Sequence, residues 1–250
     1  MRFFATWRSW RRWGRWPLVL LICFWIALPA AAQGADPFDD LDGEFEAQRP
    51  VIADPLRPWN RAMFEFNDRL YFWFLKPVAE VYRDVVPEPP RIGIRNFFNN
   101  LGAPLRFVAC LLQGKSDEAG AELGAFMVNT TVGFLGFGNP AAGESRLNVP
   151  KEDLGQAFGV WGMGHGCYIV WPVLGPSSLR DSVGLLGGHF LDPFTHVDPS
   201  EVSLVASGLE AVNTTSLHIG DYEALKKEAV APYEAMRDAY VQFRQRQVER

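Results

Sequence analysis

Asp181, His189 and either Ser177 or Ser178 are the residue types of a hydrolytic triad, in which a carboxylate orients an imidazole that activates a hydroxyl. The pattern around them does not support that chemistry. No G-x-S-x-G elbow occurs to expose a serine on a tight turn, and ordinary composition supplies such triples freely. The four histidines, His165, His189, His196 and His218, lie in unrelated contexts without a shared metal-ligand spacing. Cys110 and Cys167 belong to no C-x-x-C. Gly136-x-Gly138-x-x-Ala141 has the outline of a dinucleotide-binding turn, but Pro140 interrupts it and no strand precedes it. The expectation is a protein that is not an enzyme, with no catalytic residue, no metal and no cofactor.

The stretch that stands out is Asp153 to Asp181. Gly155, Gly159, Gly162, Gly164 and Gly166 are spaced among Phe158, Trp161 and Met163. An apolar run from Tyr168 to Trp171 stops at Pro172, Gly175-Pro176 makes a turn, and Arg180-Asp181 closes the segment. Glycine this dense weakens helix and strand interiors. Gly-X-Gly with apolar X suggests backbone packed on backbone, lining a surface that is greasy yet carries free amides. A buried structural loop is the other reading of the same residues.

The elements that must position this stretch read as follows. Residues 1–32 form a processing segment: Arg2, Arg8, Arg11, Arg12 and Arg15, then the apolar run Pro17–Leu28, then Ala30-Ala31-Ala32, with cleavage between Ala32 and Gln33. That run is shorter than the ~20 residues of a spanning helix. Cys23 follows Leu20-Leu21-Ile22, and Ile22 is too large for the site before a lipid-modified cysteine, so the expectation is no lipid anchor. Loss of residues 1–32 leaves 19 of the 24 basic residues against 29 acidic ones, a net charge of about −10. Such a chain is a poor nucleic-acid binder and is not drawn to anionic lipid by bulk charge. Residues 33–53 read as an acidic, disordered leader.

From Asp54, Trp59, Met63, Phe66, Leu70 and Trp73 recur at helical spacing on one face. Phe64, Tyr71, Phe72, Phe74 and Leu75 widen that face well beyond a core stripe, which predicts deep burial or contact with lipid. Trp59, Phe66, Trp73 and Phe74 are the expected membrane-facing residues. Helices are predicted at Arg91–Leu101, Ala103–Gln113, from Ser116, at Ser200–Asn213 and at Asp221–Gln247, the last kinked at Pro232. Gly120 and Gly124 have the spacing that lets two helices approach. No apolar run of the processed chain spans a bilayer, and alternating strands are too few for a barrel. Short amphipathic helices can instead sit in one leaflet.

The residues also carry a resemblance. Asp153-x-Gly155-Gln156-x-Phe158-Gly159-x-Trp161-Gly162-x-Gly164, continuing to Gly175-Pro176-Ser177 and Arg180-Asp181, resembles the segment that marks the VacJ/MlaA family of outer-membrane lipoproteins. Asp54-Pro55-Leu56, Trp59-Asn60-Arg61, Lys76-Pro77-Val78-Ala79, Asn96-Phe97, Asn100-Leu101, Gln113-Gly114, Phe126 and Asn129-Thr130 extend it over about residues 54–195. Gly133–Asn139 resembles the family's turn between two central helices. Cys167 stands where the family often has proline, so a bridge to Cys110 would be peculiar to this chain.

The resemblance implies a mostly α single domain, residues 54–220, with a C-terminal amphipathic helix at 221–250. Its short helices would form a ring-like, membrane-embedded bundle with a central channel. It implies an outer-membrane component, on the periplasmic side, that removes mislocalised phospholipid from the outer leaflet. A porin would brace it, and a soluble periplasmic carrier would take the lipid. The expected channel residues are Phe134, Phe137, Trp161 and Met163 as an apolar wall, with Gly162, Gly164 and Gly166 offering amides to the headgroup. A non-transporting envelope scaffold or adhesion protein is the alternative.

Overall fold

The computed structural model describes residues 52–191 and 200–250. The expected signal segment, the Ala32–Gln33 cleavage point, Cys23 and the leader up to residue 51 lie outside the described residues. Two residues assigned to the leader belong to the folded body. Ile52 is buried, and the Ala53 carbonyl accepts from the Tyr168 N–H at 2.9 Å in a parallel bridge to Cys167.

Helix α1, Arg57–Leu70, opens with Pro58, whose fixed φ suits a first turn that needs no N–H. It runs through a π-helical segment, Tyr71–Leu75, into α2, Lys76–Val85. The π segment inserts a residue into the 3.6-residue repeat. The continuous face drawn from Trp59 to Trp73 is therefore broken at Tyr71. Helix α3 spans Glu88–Leu101, starting three residues before its predicted start because Pro89 and Pro90 fit a first turn. Helices α4, Ala103–Leu112, and α5, Ser116–Thr131, pack on each other with Arg106 bonded to Glu122, and Ala109 and Cys110 on one and Ala119 and Ala121 on the other are buried. Gly120 and Gly124 do not form the helix contact their spacing suggested. Open space surrounds Gly120, and Gly124 faces the Leu147 side chain.

A 3-10 turn at Pro140–Gly143 leads to α6, Leu154–Val160, then β1, Tyr168–Trp171, and β2, Gly175–Ser178, which pair antiparallel with Tyr168 opposite Ser178 and Trp171 opposite Gly175. Helices α7, Leu179–Leu191, α8, Ser200–Leu217, α9, Asp221–Glu228, and α10, Pro232–Val248, complete the fold. The predicted kinked helix over Asp221–Gln247 is thus two helices. Pro232 disfavours helical backbone in the residue before it, and Ala229 is extended while Ala231, at φ −128° and ψ 88°, is non-helical.

The hydrophobic core is small. Ile52, Tyr168, Val170, Tyr233 and Val241 form it, with Met63, Phe64 and Tyr240 packed around. Much of the interior is polar. Asn60, Asn100, Glu122, Gln156, Arg180, Asp181, Asn213 and Arg244 are all buried. On α8 the inversion is explicit. Of Val202, Val205, Leu209 and Val212, which recur at helical spacing on one expected apolar face, the first three are exposed and Val212 is half-buried, while Asn213 and Ser216 are buried against α2 and α3. Asn213 accepts from Tyr82 Oη at 3.0 Å and donates to the Arg91 carbonyl, and Arg91 donates to the Ser216 carbonyl. No helix among the described residues is long and apolar enough to cross a membrane.

Candidate functional site

The Gly-rich stretch folds into a helix, a turn and a hairpin. Asp153 caps α6, its carboxylate accepting from the Gln156 N–H at 2.9 Å. Gly155 and Gly159 then sit inside α6, against their intrinsic preference. A Cβ on Gly155 would strike Asp181 Oδ1, and one on Gly184 of α7 would lie 2.5 Å from the Gly155 nitrogen. These glycines let α6 and α7 cross backbone to backbone over a buried ion cluster.

Arg244 of α10 is the centre of that cluster. It donates to both oxygens of Asp181 at 2.9 Å, and to both oxygens of Asp153 at 2.6 and 2.9 Å. Asp181 also receives Arg180 Nε at 2.9 Å and the Tyr240 hydroxyl at 2.5 Å. Burial alone would raise both aspartate pKa values. The hydrogen bonds and charge of Arg244 outweigh it and hold both carboxyls below their ordinary range. Asp181 is therefore fully committed to cations and hydroxyls. His189 lies eight residues along α7, roughly 12 Å away at the helical rise. Ser177 and Ser178 are buried and bonded locally, Ser178 Oγ accepting from the Asp181 N–H. No triad is assembled. Among the described residues no group of three or more histidine, cysteine or acidic side chains could hold a metal ion.

The predicted channel residues fall on two separate supports. In the 133–138 loop, Gly138 donates to the Gly133 carbonyl at 2.7 Å, and Gly136 donates to the Asn129 carbonyl. Gly136 lies directly on the Asn100 side chain. This frame holds Phe134 and Leu135 at φ 51° and 57°, a conformation bulky residues avoid, and leaves Phe134 75% exposed. Phe137 stacks on Phe97 at 5.1 Å.

The second support is the turn after α6. Trp161 donates its indole N–H to the Leu112 carbonyl at 2.8 Å, tying the turn to the end of α4, and Met163 is exposed. The Gly162 N–H is spent on the Gly159 carbonyl, and the Met163 N–H on Phe158. The amides of Gly164 and Gly166 have no acceptor among the described residues. Open space surrounds Gly162 and Gly164, whereas Gly166 packs on Leu179. No hydrogen bond or ring contact among the described residues links the two supports. Trp59, Phe66, Trp73 and Phe74, the expected membrane-facing residues, are all exposed. Cys110 is a buried thiol, not joined to Cys167, and burial pushes its pKa up to about 11.

Sequence reasoning missed Arg244, Asn60 and Asn67. Tyr240 and Arg244 share a helix face, four residues apart, and both reach Asp181; that spacing was the available signal. Asn60 and Asn67 of α1 clamp the hairpin backbone. Asn60 donates to the Tyr168 carbonyl at 2.9 Å and accepts from the Val170 N–H at 2.8 Å. Asn67 repeats the pattern three residues on, with the Trp171 carbonyl at 2.9 Å and the Val173 N–H at 2.7 Å. Seven residues of helix and three of strand both advance roughly 10 Å, so the two registers match. The second clamp holds Val173 at φ 68° at an apolar hairpin tip.

Polar side chains turned inward and many large apolar ones left exposed, on helices none of which among the described residues is long and apolar enough to cross a membrane, define the class: a mostly helical fold with a polar interior. The chain belongs to the MlaA lipoprotein family, whose model matches residues 52–247. It is 33% identical over 196 residues to the Escherichia coli protein named intermembrane phospholipid transport system lipoprotein MlaA, and 30% identical over 195 residues to the Haemophilus influenzae protein of that name. Each match spans 76% of both chains. A solved structure described as the "structural basis for maintenance of bacterial outer membrane lipid asymmetry" aligns with a TM-score of 0.66 at 29% identity, over 78% of this chain and 99% of that one. These relatives are named as lipoproteins, which weighs against the expectation of no lipid anchor drawn from Cys23.

Proposed function

We propose that this protein sits in the inner leaflet of the outer membrane and moves phospholipid out of the outer leaflet through an amphipathic channel within a ring of its helices. The observation that carries the reading is the inversion of the fold: a polar interior under an exterior rich in large exposed apolar residues, Trp73, Val132, Phe134, Phe190 and Leu204 among them. The names of the family's relatives support it. A charged headgroup at the bilayer centre costs about 2.5–3.5 kcal/mol on the most lenient scale. Phe134, Phe137, Trp161 and Met163 would line the path for the acyl chains. The Gly162–Gly166 turn, with its open amides at Gly164 and Gly166, would offer the headgroup hydrogen bonds along the way. The lipid passes to a soluble periplasmic carrier, and an outer-membrane porin braces the assembly.

The test is outer-leaflet phospholipid exposure in cells lacking the protein, read with a membrane-impermeant amine label. Exposure rises on deletion and falls on re-expression. Gly164→Trp, placed where open space surrounds the residue, exports normally and fails to restore asymmetry. An unchanged label on deletion would sink the transport reading and favour a non-transporting envelope scaffold.

A further inference from the structure

A polar cavity of about 110 Å³ lies among α3, α4, α5 and the segment 139–151. Its charges do not cancel. Arg106 is satisfied by Glu122 Oε1 at 2.9 Å and by the Asn99 carbonyl. Lys151, at the mouth, has only a neutral acceptor, Asn99 Oδ1 at 2.6 Å, and no ion pair among the described residues. Lys151 keeps an exposed side chain, and its partial desolvation, then the nearby Arg106, push its pKa down. Arg95 also acts on Lys151 and has no hydrogen bond or ion pair of its own among the described residues. Carboxamides supply further donors. Asn129 uses its oxygen to accept from the Ala141 N–H at 3.1 Å, which leaves its NH2 group for the cavity. A pocket rich in donors, with more cations than acids, calls for an anion.

The surroundings say what kind of anion. Asn96, on the cavity wall, donates to the Phe137 carbonyl at 3.3 Å, and Asn100 supports Gly136. The same asparagines that line the cavity thus hold the strained loop that thrusts Phe134 and Leu135 outward. A free inorganic anion has no use for the apolar part of the lining, Phe126, Leu147 and Val149, whereas an amphiphile with a phosphate at one end matches both halves. We infer that this cavity holds the phosphodiester headgroup of an anionic phospholipid, with Lys151 as its ion-pair partner and the acyl chains running over the Phe134 loop. The inference rests on the phospholipid-transport reading and gives it a headgroup site apart from the Gly-rich turn.

The experiment uses the full processed chain in detergent, with phosphatidylglycerol, a diacylglycerol of the same chains, and inorganic phosphate as probes. Wild type prefers phosphatidylglycerol to diacylglycerol. Lys151→Gln lowers that affinity by about tenfold or more, the scale of one charge-assisted hydrogen bond, and Lys151→Arg keeps it. Asn129→Asp preserves the acceptor for Ala141 while adding a negative charge to the cavity, and it lowers the affinity similarly. Phosphatidylglycerol bound equally by wild type, Lys151→Gln and Asn129→Asp overturns the headgroup site and leaves the transport reading standing. Saturation by inorganic phosphate, lost in Lys151→Gln while lipid binding is unchanged, assigns the cavity to the free anion and likewise overturns it. A wild type that binds no phospholipid at all overturns the transport reading itself.

Discussion

Asp153, Asp181 and Arg244 make the protein's acid sensitivity calculable in sign. Both carboxyls titrate below their ordinary value of 3.8. The stability they contribute is fully present above that value and is lost as pH falls through the folded values. Thermal melts should therefore show no loss from this cluster between pH 7 and 5, and a fall below about pH 4. Arg244→Met leaves the buried Asp181 carboxylate short of a counter-ion, a change that costs about 3–5 kcal/mol. Burial then raises its pKa, so the deficit against wild type should narrow as pH drops from 7 to 5; a constant gap would contradict the assignment. Glycine substitutions test the crossing above the cluster. Gly184→Ala meets the Gly155 backbone at 2.5 Å and should destabilise strongly, while Gly120→Ala, in open space inside α5, should stabilise by about 0.5–1 kcal/mol. The motif containing Asp153 and Asp181 was legible as a motif. Its purpose was not, because Arg244 lies 91 residues from Asp153 in the chain and nothing in a charged C-terminal helix marks it out.

The clamps of α1 show how the same side chain differs in value with burial. Asn60 is fully buried, so Asn60→Ala strands the Tyr168 carbonyl and the Val170 N–H without water and should cost about 3 kcal/mol. Asn67 makes the same pair of bonds at the surface, where water can replace them, and Asn67→Ala should cost about 1 kcal/mol or less. Equal losses in chemical denaturation would refute the burial argument. Several element positions were readable from sequence because prolines punctuate the chain, and Pro104 near the start of α4 falls where it should, whereas α6 was not read as a helix at all. The π segment was not readable. Tyr71–Leu75 is a run of large apolar residues that fits any helical period equally well. Gly155 and Gly159 misled for a related reason, since propensity counts against glycine in a helix while only tertiary contact reveals why a side chain could not be there.

For the molecule as a whole, apolar periodicity located faces correctly but left their direction open. Val202, Val205 and Leu209 do share a face, yet they point away from the protein, and Asn213 points in. Periodicity reports that a helix has two sides; the surrounding medium decides which is buried. An exterior of this kind predicts detergent-dependent solubility. Sedimentation in buffer alone should show association that detergent micelles abolish, and a monodisperse monomer in buffer would count against the membrane seat. On the membrane seat proposed above, the protein crosses water in the company of its own copies before reaching it, where unpaired strand groups are templates for runaway stacking. On the outward edge of β1 the Tyr168 N–H is taken by the Ala53 carbonyl, and the Tyr168 carbonyl and Val170 N–H by the Asn60 carboxamide, while Pro176 has no N–H to offer on β2. One helix side chain and one bridging residue thus stand in for a neighbouring strand, and the apolar exterior is denied much of the backbone ladder on which fibrils would grow.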